Sequence, residues 1–257
     1  MFENILKQSE SGMGIIKINR PETRNALNKK TLQEIEEAIE IFENDESIKV
    51  IILTGEGEKS FAAGADIKQL RDRKMLEALV PGMQATYKRI EDCGKATIAA
   101  INGFALGGGF ELALACDIRV AAAEVKIGLP ELNLAIVPGA GGTQRLSRIV
   151  GKGKAMEMVL TGKLMDGKEA EQWGIVTKAV PKEQLLEEAN ALANTIAAKG
   201  PVAVKLAKMT INKGFDTDLD TALMLEKFAQ TIAFGTEDKN EGTQAFLDKR
   251  KPEFMSQ

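Results

Sequence analysis

The chain has 257 residues, of which 44% are hydrophobic and 28% charged, and its formal net charge is −3. This length can bury one large core, and the composition is that of a soluble globular protein. The small negative charge gives no electrostatic basis for binding nucleic acid or an anionic membrane. No signal peptide and no apolar run of ~20 residues are evident, so we expect a cytoplasmic protein without a membrane partner.

Histidine is absent from the sequence. Its absence excludes Ser-His and Cys-His nucleophiles, the common zinc sites and the most usual general base. The two cysteines, Cys93 and Cys116, lie among apolar residues and are expected to be reduced core residues. Chemistry in this chain must therefore use carboxylates, backbone dipoles, lysine or the single tyrosine, Tyr87.

The N-terminal segment is predicted to begin with two strands, over residues 2–7 and 13–19. Residues 31–34, with the sequence TLQE, fit a helix capping box, and apolar residues at helical spacing continue to Phe42. Residues 50–55 form an apolar run that is typical of a strand covered on both faces. This order of strand, helix and strand predicts a right-handed unit with parallel strands.

Small residues dominate the next loop, which has the sequence FAAGADI over residues 61–67. A run of small residues lets backbone approach backbone or a ligand, but small-residue turns are also common, and this loop alone decides nothing. A helix is predicted over residues 75–91, with an interruption at residues 81–82, where proline and glycine occur.

Three consecutive glycines follow the predicted strand at residues 96–101 and precede a run of good helix formers. Glycines allow tight turns, and the start of a helix presents free N–H groups that suit an oxyanion or phosphate. The turn matches neither a Walker loop nor a dinucleotide-binding fingerprint. One turn into the apolar helix lies Glu111, and a buried carboxylate without a partner is rare.

A second carboxylate, Glu131, lies twenty positions later in an apolar loop that follows a predicted strand near residues 117–121. A second glycine-rich turn, at residues 137–143, opens another helix. Further helices are predicted over 152–160, 166–173 and 182–199, with a short strand at 176–180.

From residue 200 onward the pattern is purely helical, with helices predicted over 202–213, 217–234 and 237–249. This tail is too thin to bury both of its faces alone, so we expect it to pack on the core or on a neighbouring subunit. The predicted organisation is a core at residues 1–199 and a helical oligomerisation region at residues 200–257.

Two carboxylates in apolar surroundings, together with two loops that expose backbone N–H groups, indicate proton transfer at a carbon beside a polarised carbonyl. Such chemistry needs donors for the enolate oxygen and carboxyls that activate water and move a proton. A structural interpretation competes with this one. Glu111 could pair with Arg119 or Arg145, and Glu131 could be an exposed loop residue. The residue pattern alone leaves both interpretations open.

Four segments together resemble the crotonase, or enoyl-CoA hydratase, superfamily. They are RPETRNAL at residues 20–27, FAAGADI at 61–67, INGFALGGGFEL at 101–112 and PGAGGTQRL at 138–146. The resemblance runs from about residue 14 to residue 254. It implies an α/β fold built as a crotonase-like spiral of ββα units, with a C-terminal helical trimerisation region whose trimers commonly pair into hexamers.

The resemblance also implies an acyl-CoA thioester substrate and no separate cofactor or metal. The N–H groups of Ala63 and Gly108 would form the oxyanion hole, with Glu111 as the water-activating base and Glu131 as the proton donor to Cα. The residues expected to line the substrate and CoA channel are Arg24, Ala26, Leu27, Ala62, Gly64, Ala65, Asp66, Ile67 and Gly107.

Within the superfamily that the chain resembles, the presence of both glutamates favours hydration of an enoyl-CoA to a 3-hydroxyacyl-CoA over isomerisation. Short-chain hydratases usually carry glycine at the position of Ala135. With alanine there, the sequence looks closer to the methylglutaconyl-CoA hydratase branch of leucine catabolism. That likeness leads to the hypothesis of a branched, dicarboxylic substrate. Its second carboxylate would need a cation, for which the candidates are Lys68, Arg71, Arg73 and Lys74.

Two other classes of function conflict with the residues of this chain. A mammalian member of the methylglutaconyl branch also binds RNA through a lysine row on its first helix. The corresponding helix here carries Glu34, Glu36, Glu37, Glu40 and Glu43. Phosphate contacts need cations, so this acidic face argues against RNA binding. A Clp-like serine protease is excluded because its catalytic triad needs a histidine.

Overall fold

The computed structural model describes residues 2–80 and 82–255. In this part of the chain, nine strands form a six-stranded sheet in the order β1-β2-β3-β5-β7-β9 and a three-stranded sheet in the order β4-β6-β8. Numbered along the chain, the strands are β1 (Ile5–Glu10), β2 (Met13–Ile18), β3 (Val50–Gly55), β4 (Ser60–Ala62), β5 (Ala96–Ile101), β6 (Phe104–Leu106), β7 (Ile118–Ala122), β8 (Ile127–Gly128) and β9 (Lys178–Val180).

The same part of the chain contains ten α-helices and four short 3₁₀ segments. The helices are α1 (Lys29–Asn44), α2 (Ile67–Asp72), α3 (Met83–Glu91), α4 (Gly108–Ala115), α5 (Gly142–Thr161), α6 (Gly167–Gln172), α7 (Leu185–Ala197), α8 (Pro201–Phe215), α9 (Leu219–Phe234) and α10 (Glu237–Leu247). The 3₁₀ segments are Pro21–Thr23, Met75–Leu79, Glu131–Leu134 and Lys182–Gln184. None of these helices is long and apolar enough to cross a membrane.

The chain winds as a repeating ββα unit, which confirms the predicted fold class. In each repeat, one long strand joins the six-stranded sheet, a short strand joins the three-stranded sheet, and a helix follows. The strand pairs β3–β4, β5–β6 and β7–β8 occupy equivalent places in successive repeats. The long strands from β2 onward pair in parallel, whereas β1 pairs with β2 in the antiparallel direction. The repeat thus places all three short strands side by side and parallel.

Burial of the central strands accounts for their continuous apolar runs. Every residue of β3 and β5 is buried, as expected for strands covered on both faces. Cys93 and Cys116 are both free and buried, which confirms their interpretation as core residues. Strand β1 begins at Ile5, three residues later than the predicted strand, because its pairing register with β2 runs from Ile5 to Glu10.

The predicted start of the first helix is wrong. Helix α1 begins at Lys29, and Asn28 is its N-cap, with the side chain accepting a hydrogen bond from the Thr31 N–H at 2.8 Å. Glu34 does not close a capping box. It is buried and accepts hydrogen bonds from the backbone N–H groups of Glu3 at 2.8 Å and Asn4 at 2.7 Å. This carboxylate therefore ties the N-terminal segment to α1 rather than lying on an exposed acidic face.

Two helical stretches are divided where glycine occurs. The helix expected over 75–91 divides into the 3₁₀ segment Met75–Leu79 and α3, whose N-cap is Gly82; Pro81 lies outside the described residues. Helix α5 changes direction at Gly151, which has a φ of +77°. The second half of α5 corresponds to the helix predicted at 152–160.

The C-terminal helices α8, α9 and α10 confirm the helical pattern predicted after residue 200. An ion pair between Lys208 and Asp117, at 2.8 Å, joins α8 to the start of β7. The outer faces of these helices expose large apolar side chains, including Ile211, Phe228, Ile232 and Phe246. The division of the chain at residues 199 and 200 stays a prediction.

Candidate active site

A cleft of about 1280 Å³ opens where the loops after the three short strands converge. These loops begin at Ala63 after β4, at Gly107 after β6 and at Leu129 after β8. Ligands of α/β proteins bind beyond the carboxyl ends of parallel strands. The remaining walls include residues of α2, of the 3₁₀ segment Met75–Leu79, of α3 and of the start of α5. The repeat of the fold therefore assembles this cleft from segments far apart in the sequence.

Glu111 lies at the base of the cleft on helix α4, and 2% of it is exposed. Its Oε1 accepts hydrogen bonds from the backbone N–H groups of Ala140 at 2.8 Å and Gly142 at 2.7 Å. A Cβ atom at Gly142 would lie 2.8 Å from the same oxygen, so glycine is required for this approach. Burial raises the pKa of the Glu111 carboxyl, although the hydrogen bonds from Gly142 and Ala140 oppose that shift.

The alternative in which Glu111 forms a structural ion pair is wrong. Arg145 pairs instead with Glu91 at 3.1 Å, and Arg119 donates hydrogen bonds to the carbonyl oxygens of Ile175 and Cys116. Glu111 is thus held by backbone N–H groups and not by a cation.

Glu131 begins a 3₁₀ segment and faces the same cleft. Its Oε2 is buried and has no hydrogen-bond partner among the described residues. Its Oε1 lies against Gly107, where a Cβ atom would come within 3.0 Å. Burial raises the pKa of Glu131 to about 7, and the charge of nearby Glu111 adds to the shift. Glu131 is therefore not an exposed loop residue, and it takes up a proton near neutral pH.

The N–H group of Ala63 is not free, which contradicts its predicted place in the oxyanion hole. It donates to the carbonyl oxygen of Arg24 at 3.1 Å. The carbonyl of Gly64 accepts from the Leu27 N–H at 2.8 Å. Because C=O and N–H point in opposite directions across a trans peptide, the Ala65 N–H points away from Leu27. No acceptor for the Ala65 N–H is found within residues 2–80 and 82–255.

The Gly108 N–H points out of the start of helix α4. Gly107 has a φ of +52°, and its carbonyl accepts the Glu111 N–H at 2.9 Å, so the N–H across the same peptide points the opposite way. A Cβ atom at Gly64 would lie 3.4 Å from the Gly108 nitrogen. The loop that carries the Ala65 N–H therefore lies beside the N-terminus of α4, where the helix dipole favours negative charge.

The residues predicted to line the substrate and CoA channel divide into two groups. Gly64, Ala65, Ile67 and Gly107 line the cleft. The others do not line it: Arg24, Ala26, Leu27, Ala62 and Asp66.

Those five residues support the loop at residues 63–66 instead, and the Ala26 carbonyl accepts a hydrogen bond from Arg20 at 2.5 Å. Leu27 and Ala62 are buried, Leu27 pairs with Ala65 through the backbone, and the Arg24 carbonyl holds the Ala63 N–H. Asp66 caps α2 and pairs with Arg20 at 3.5 Å. These residues hold the loop in place rather than line the cleft.

The four cations proposed to bind a dicarboxylic substrate also differ in their position relative to the cleft. Lys68 and Arg71 do not line the cleft, and Arg71 pairs with its neighbour Asp72. Arg73 lines the cleft, but its guanidinium donates to the carbonyl oxygens of Glu77 and Val80. Lys74 lines the cleft and has no ion pair among the described residues. No cluster able to hold a metal ion is found in that part of the chain.

Sequence reasoning did not predict three hydrogen bonds of the site. The glycine-rich turn at residues 137–143 was recognised, but its donation from Ala140 and Gly142 to Glu111 was not. Tyr87, on α3, is fully buried and donates its hydroxyl to the Gly108 carbonyl at 2.6 Å. Its place in the predicted helix over residues 75–91 gave no indication of the hydroxyl's partner.

Known proteins resemble this chain over its full length. The crotonyl-CoA hydratase of Syntrophomonas wolfei is 45% identical over 257 residues, which are 99% of each chain. The short-chain-enoyl-CoA hydratase of Clostridium acetobutylicum is 44% identical over 98% of this chain and 97% of its own. The crystal structure of an enoyl-CoA hydratase from Bacillus anthracis superposes with a TM-score of 0.95 at 40% identity, covering 99% of this chain and 100% of that one.

A sequence model of the enoyl-CoA hydratase/isomerase family matches residues 8–257. Full-length identity of this order, the ββα spiral and the matching solved structure agree with one another. The chain belongs to the enoyl-CoA hydratase/isomerase family.

Proposed function

We propose that this chain is an enoyl-CoA hydratase, which adds water across the α,β-double bond of an enoyl-CoA thioester to give a 3-hydroxyacyl-CoA. The observation that carries the proposal is the pair Glu111 and Glu131. Both face one cleft, and their surroundings give them different affinities for a proton. Hydration needs one carboxyl to activate water and another to supply a proton.

The oxyanion hole in this proposal consists of the N–H groups of Ala65 and Gly108. Addition of water at Cβ moves negative charge onto the thioester oxygen, and donors fixed in advance stabilise that charge. The loss of one such donor costs about 3–4 kcal/mol of transition-state stabilisation. Ala65 replaces Ala63 in this role because the Ala63 N–H is already bound by Arg24.

Glu111 acts as the base and Glu131 as the acid. The two N–H groups that hold Glu111 Oε1 favour its ionised form, and they leave Oε2 to bind the attacking water. Glu131 has no comparable donor on Oε2 and holds a proton up to about pH 7. That proton passes to Cα as the Glu111 carboxylate removes one from water. Coenzyme A enters as part of the substrate, and we propose no other cofactor.

Replacement of either glutamate by glutamine tests these roles. Glu111→Gln removes the base and Glu131→Gln removes the acid, so each should lower kcat for crotonyl-CoA by about 10²- to 10⁴-fold. The loss of enoyl-thioester ultraviolet absorbance measures hydration directly. Glu37→Gln, at an exposed position on α1, is the matched control. Retention of wild-type activity by both site variants, or no consumption of crotonyl-CoA by the wild type, would contradict the proposal.

The pH dependence of kcat/KM follows from the Glu131 pKa of about 7. The protonated form of Glu131 is present below that pH and is lost above it. We therefore expect kcat/KM to fall as the pH rises through about 7, approaching about tenfold per pH unit. Circular dichroism at each pH controls for unfolding. A profile that stays level from about pH 6 to pH 9 would contradict the assignment of Glu131 as the acid.

A preference for a dicarboxylic substrate such as 3-methylglutaconyl-CoA stays a prediction, and Lys74 is the cation best placed to support it. Lys74→Gln should raise KM for 3-methylglutaconyl-CoA about 2- to 5-fold, because exposed ion pairs contribute at most about 1 kcal/mol. Lys68→Gln, outside the cleft, is the matched control. An equal rise in KM with crotonyl-CoA would contradict this specificity and favour a short-chain hydratase.

Self-association into trimers, and of trimers into hexamers, is also proposed. The apolar outer faces of α8 to α10 support it, because exposed apolar patches of this kind mark interaction sites. The expected mass by light scattering is three or six times 27.8 kDa. Ile232→Asp should lower that mass, whereas the control Thr195→Asp, on the exposed side of α7, should not. A monomeric mass for the unmodified chain would rule the assembly out.

A further inference from the structure

The chain has one tyrosine, Tyr87, and its position is tied to the proposed oxyanion hole. Thr86, Tyr87 and Ile90 form the buried face of α3. A buried tyrosine hydroxyl requires a hydrogen-bond partner, and here the partner is the Gly108 carbonyl at 2.6 Å. Gly108 is the residue whose N–H is proposed to bind the thioester oxygen. The tyrosine is therefore linked to the proposed oxyanion donor through the backbone of one residue, although it does not line the cleft.

The turn at residues 107–109 has no side chains with which to fix its own conformation. Glycine is the least restrained residue, so its geometry must be set by neighbours. The Gly107 N–H donates to the Gly128 carbonyl at 2.9 Å, and a Cβ at Gly109 would overlap the carbonyl of Ala62. These contacts hold the two ends of the turn.

Gly108, in the middle, is held from outside α4 by Met83 and Tyr87. A Cβ at Gly108 would lie 2.9 Å from the Met83 sulfur and 3.5 Å from the Tyr87 hydroxyl oxygen. Met83 offers only packing. Among the described residues, the Tyr87 hydroxyl provides the one polar contact to Gly108 that comes from a different element.

The hydroxyl is not suited to acid–base work. Burial, with the charge of Glu111 next in effect, raises the pKa of Tyr87 well above its usual range. Its proton is directed at the Gly108 carbonyl rather than at the cleft. A neutral hydroxyl whose hydrogen bond goes to Gly108 can influence the reaction through the position of the turn at residues 107–109.

We propose that Tyr87 is a positioning residue whose hydroxyl, by holding the Gly108 carbonyl, fixes the direction of the Gly108 N–H toward the thioester oxygen. The inference rests on the proposed function, because it acts through the oxyanion hole assigned there. The oxygen carries more charge in the transition state than in the bound substrate, so a misdirected donor lowers kcat more than it weakens binding.

Tyr87→Phe removes the hydroxyl and keeps the ring. Thr54→Val is the matched control, because the Thr54 hydroxyl is also buried and donates to a carbonyl, that of Ala100, at 2.8 Å. For crotonyl-CoA, Tyr87→Phe should lower kcat about 3- to 10-fold, the effect of one neutral hydrogen bond, with KM changed less than about twofold. Thr54→Val should keep the wild-type kcat. An unchanged kcat in Tyr87→Phe, or an equal loss in both variants, would overturn the inference.

A second measurement needs no loss of the hydroxyl and stays decisive if Tyr87→Phe does not fold. Because the chain has a single tyrosine, growth on 3-fluorotyrosine labels position 87 alone. The ¹⁹F resonance should shift when acetoacetyl-CoA, whose enolate carries charge on the acyl oxygen, saturates the protein, and should not shift with coenzyme A alone. The same spectrum with and without acetoacetyl-CoA would overturn the inference.

The two proposals fail in different ways. If the wild type hydrates crotonyl-CoA while Tyr87→Phe behaves like Thr54→Val, the proposed function stands and the role of Tyr87 falls. If the wild type consumes no enoyl thioester, the proposed function falls whatever the tyrosine variant does.

Discussion

The site depends on how closely helix α4 approaches strand β4. A side chain at Gly109 would overlap the carbonyl of Ala62, so the helix can start where it does only because residue 109 has no Cβ. That approach places the Gly108 N–H beside the loop that carries the Ala65 N–H. It also carries Glu111, one turn later, to the base of the cleft. One steric constraint thus sets the positions of a donor and a carboxylate together.

The two carboxyls differ because the segment at residues 140–142 directs two backbone donors at Glu111 and none at Glu131. The second glycine-rich turn directs two N–H groups at Glu111, whereas Glu131 keeps a buried oxygen without a partner. Burial alone would raise the pKa of both groups. Donation from Ala140 and Gly142 separates them, so that one proton, held by Glu131 near neutral pH, serves the pair. In the proposed mechanism this asymmetry divides the labour between base and acid.

Sequence reasoning was most successful where residue type alone restricts the answer. Apolar runs and glycine-rich turns predicted the buried strands and singled out Glu111 and Glu131, whereas the ββα spiral was implied by the family resemblance. Sequence reasoning failed where the direction of a backbone N–H group depends on tertiary pairing. Whether Ala63 or Ala65 offers a free N–H depends on how the loop pairs with Leu27 and Arg24, and all candidate residues are small. The N-cap of α1 is Asn28 rather than the predicted Thr31, because both residue types can cap a helix and only packing selects between them.

The most direct test of the account is a titration of the two carboxyl carbons by NMR in protein labelled with ¹³C at glutamate. The account predicts one buried carboxyl that titrates at about pH 7 and whose resonance disappears in Glu131→Gln but persists in Glu111→Gln. A resonance near pH 7 that disappears in Glu111→Gln instead would reverse the roles of the two residues. No carboxyl titrating near neutral pH would contradict the division of labour itself.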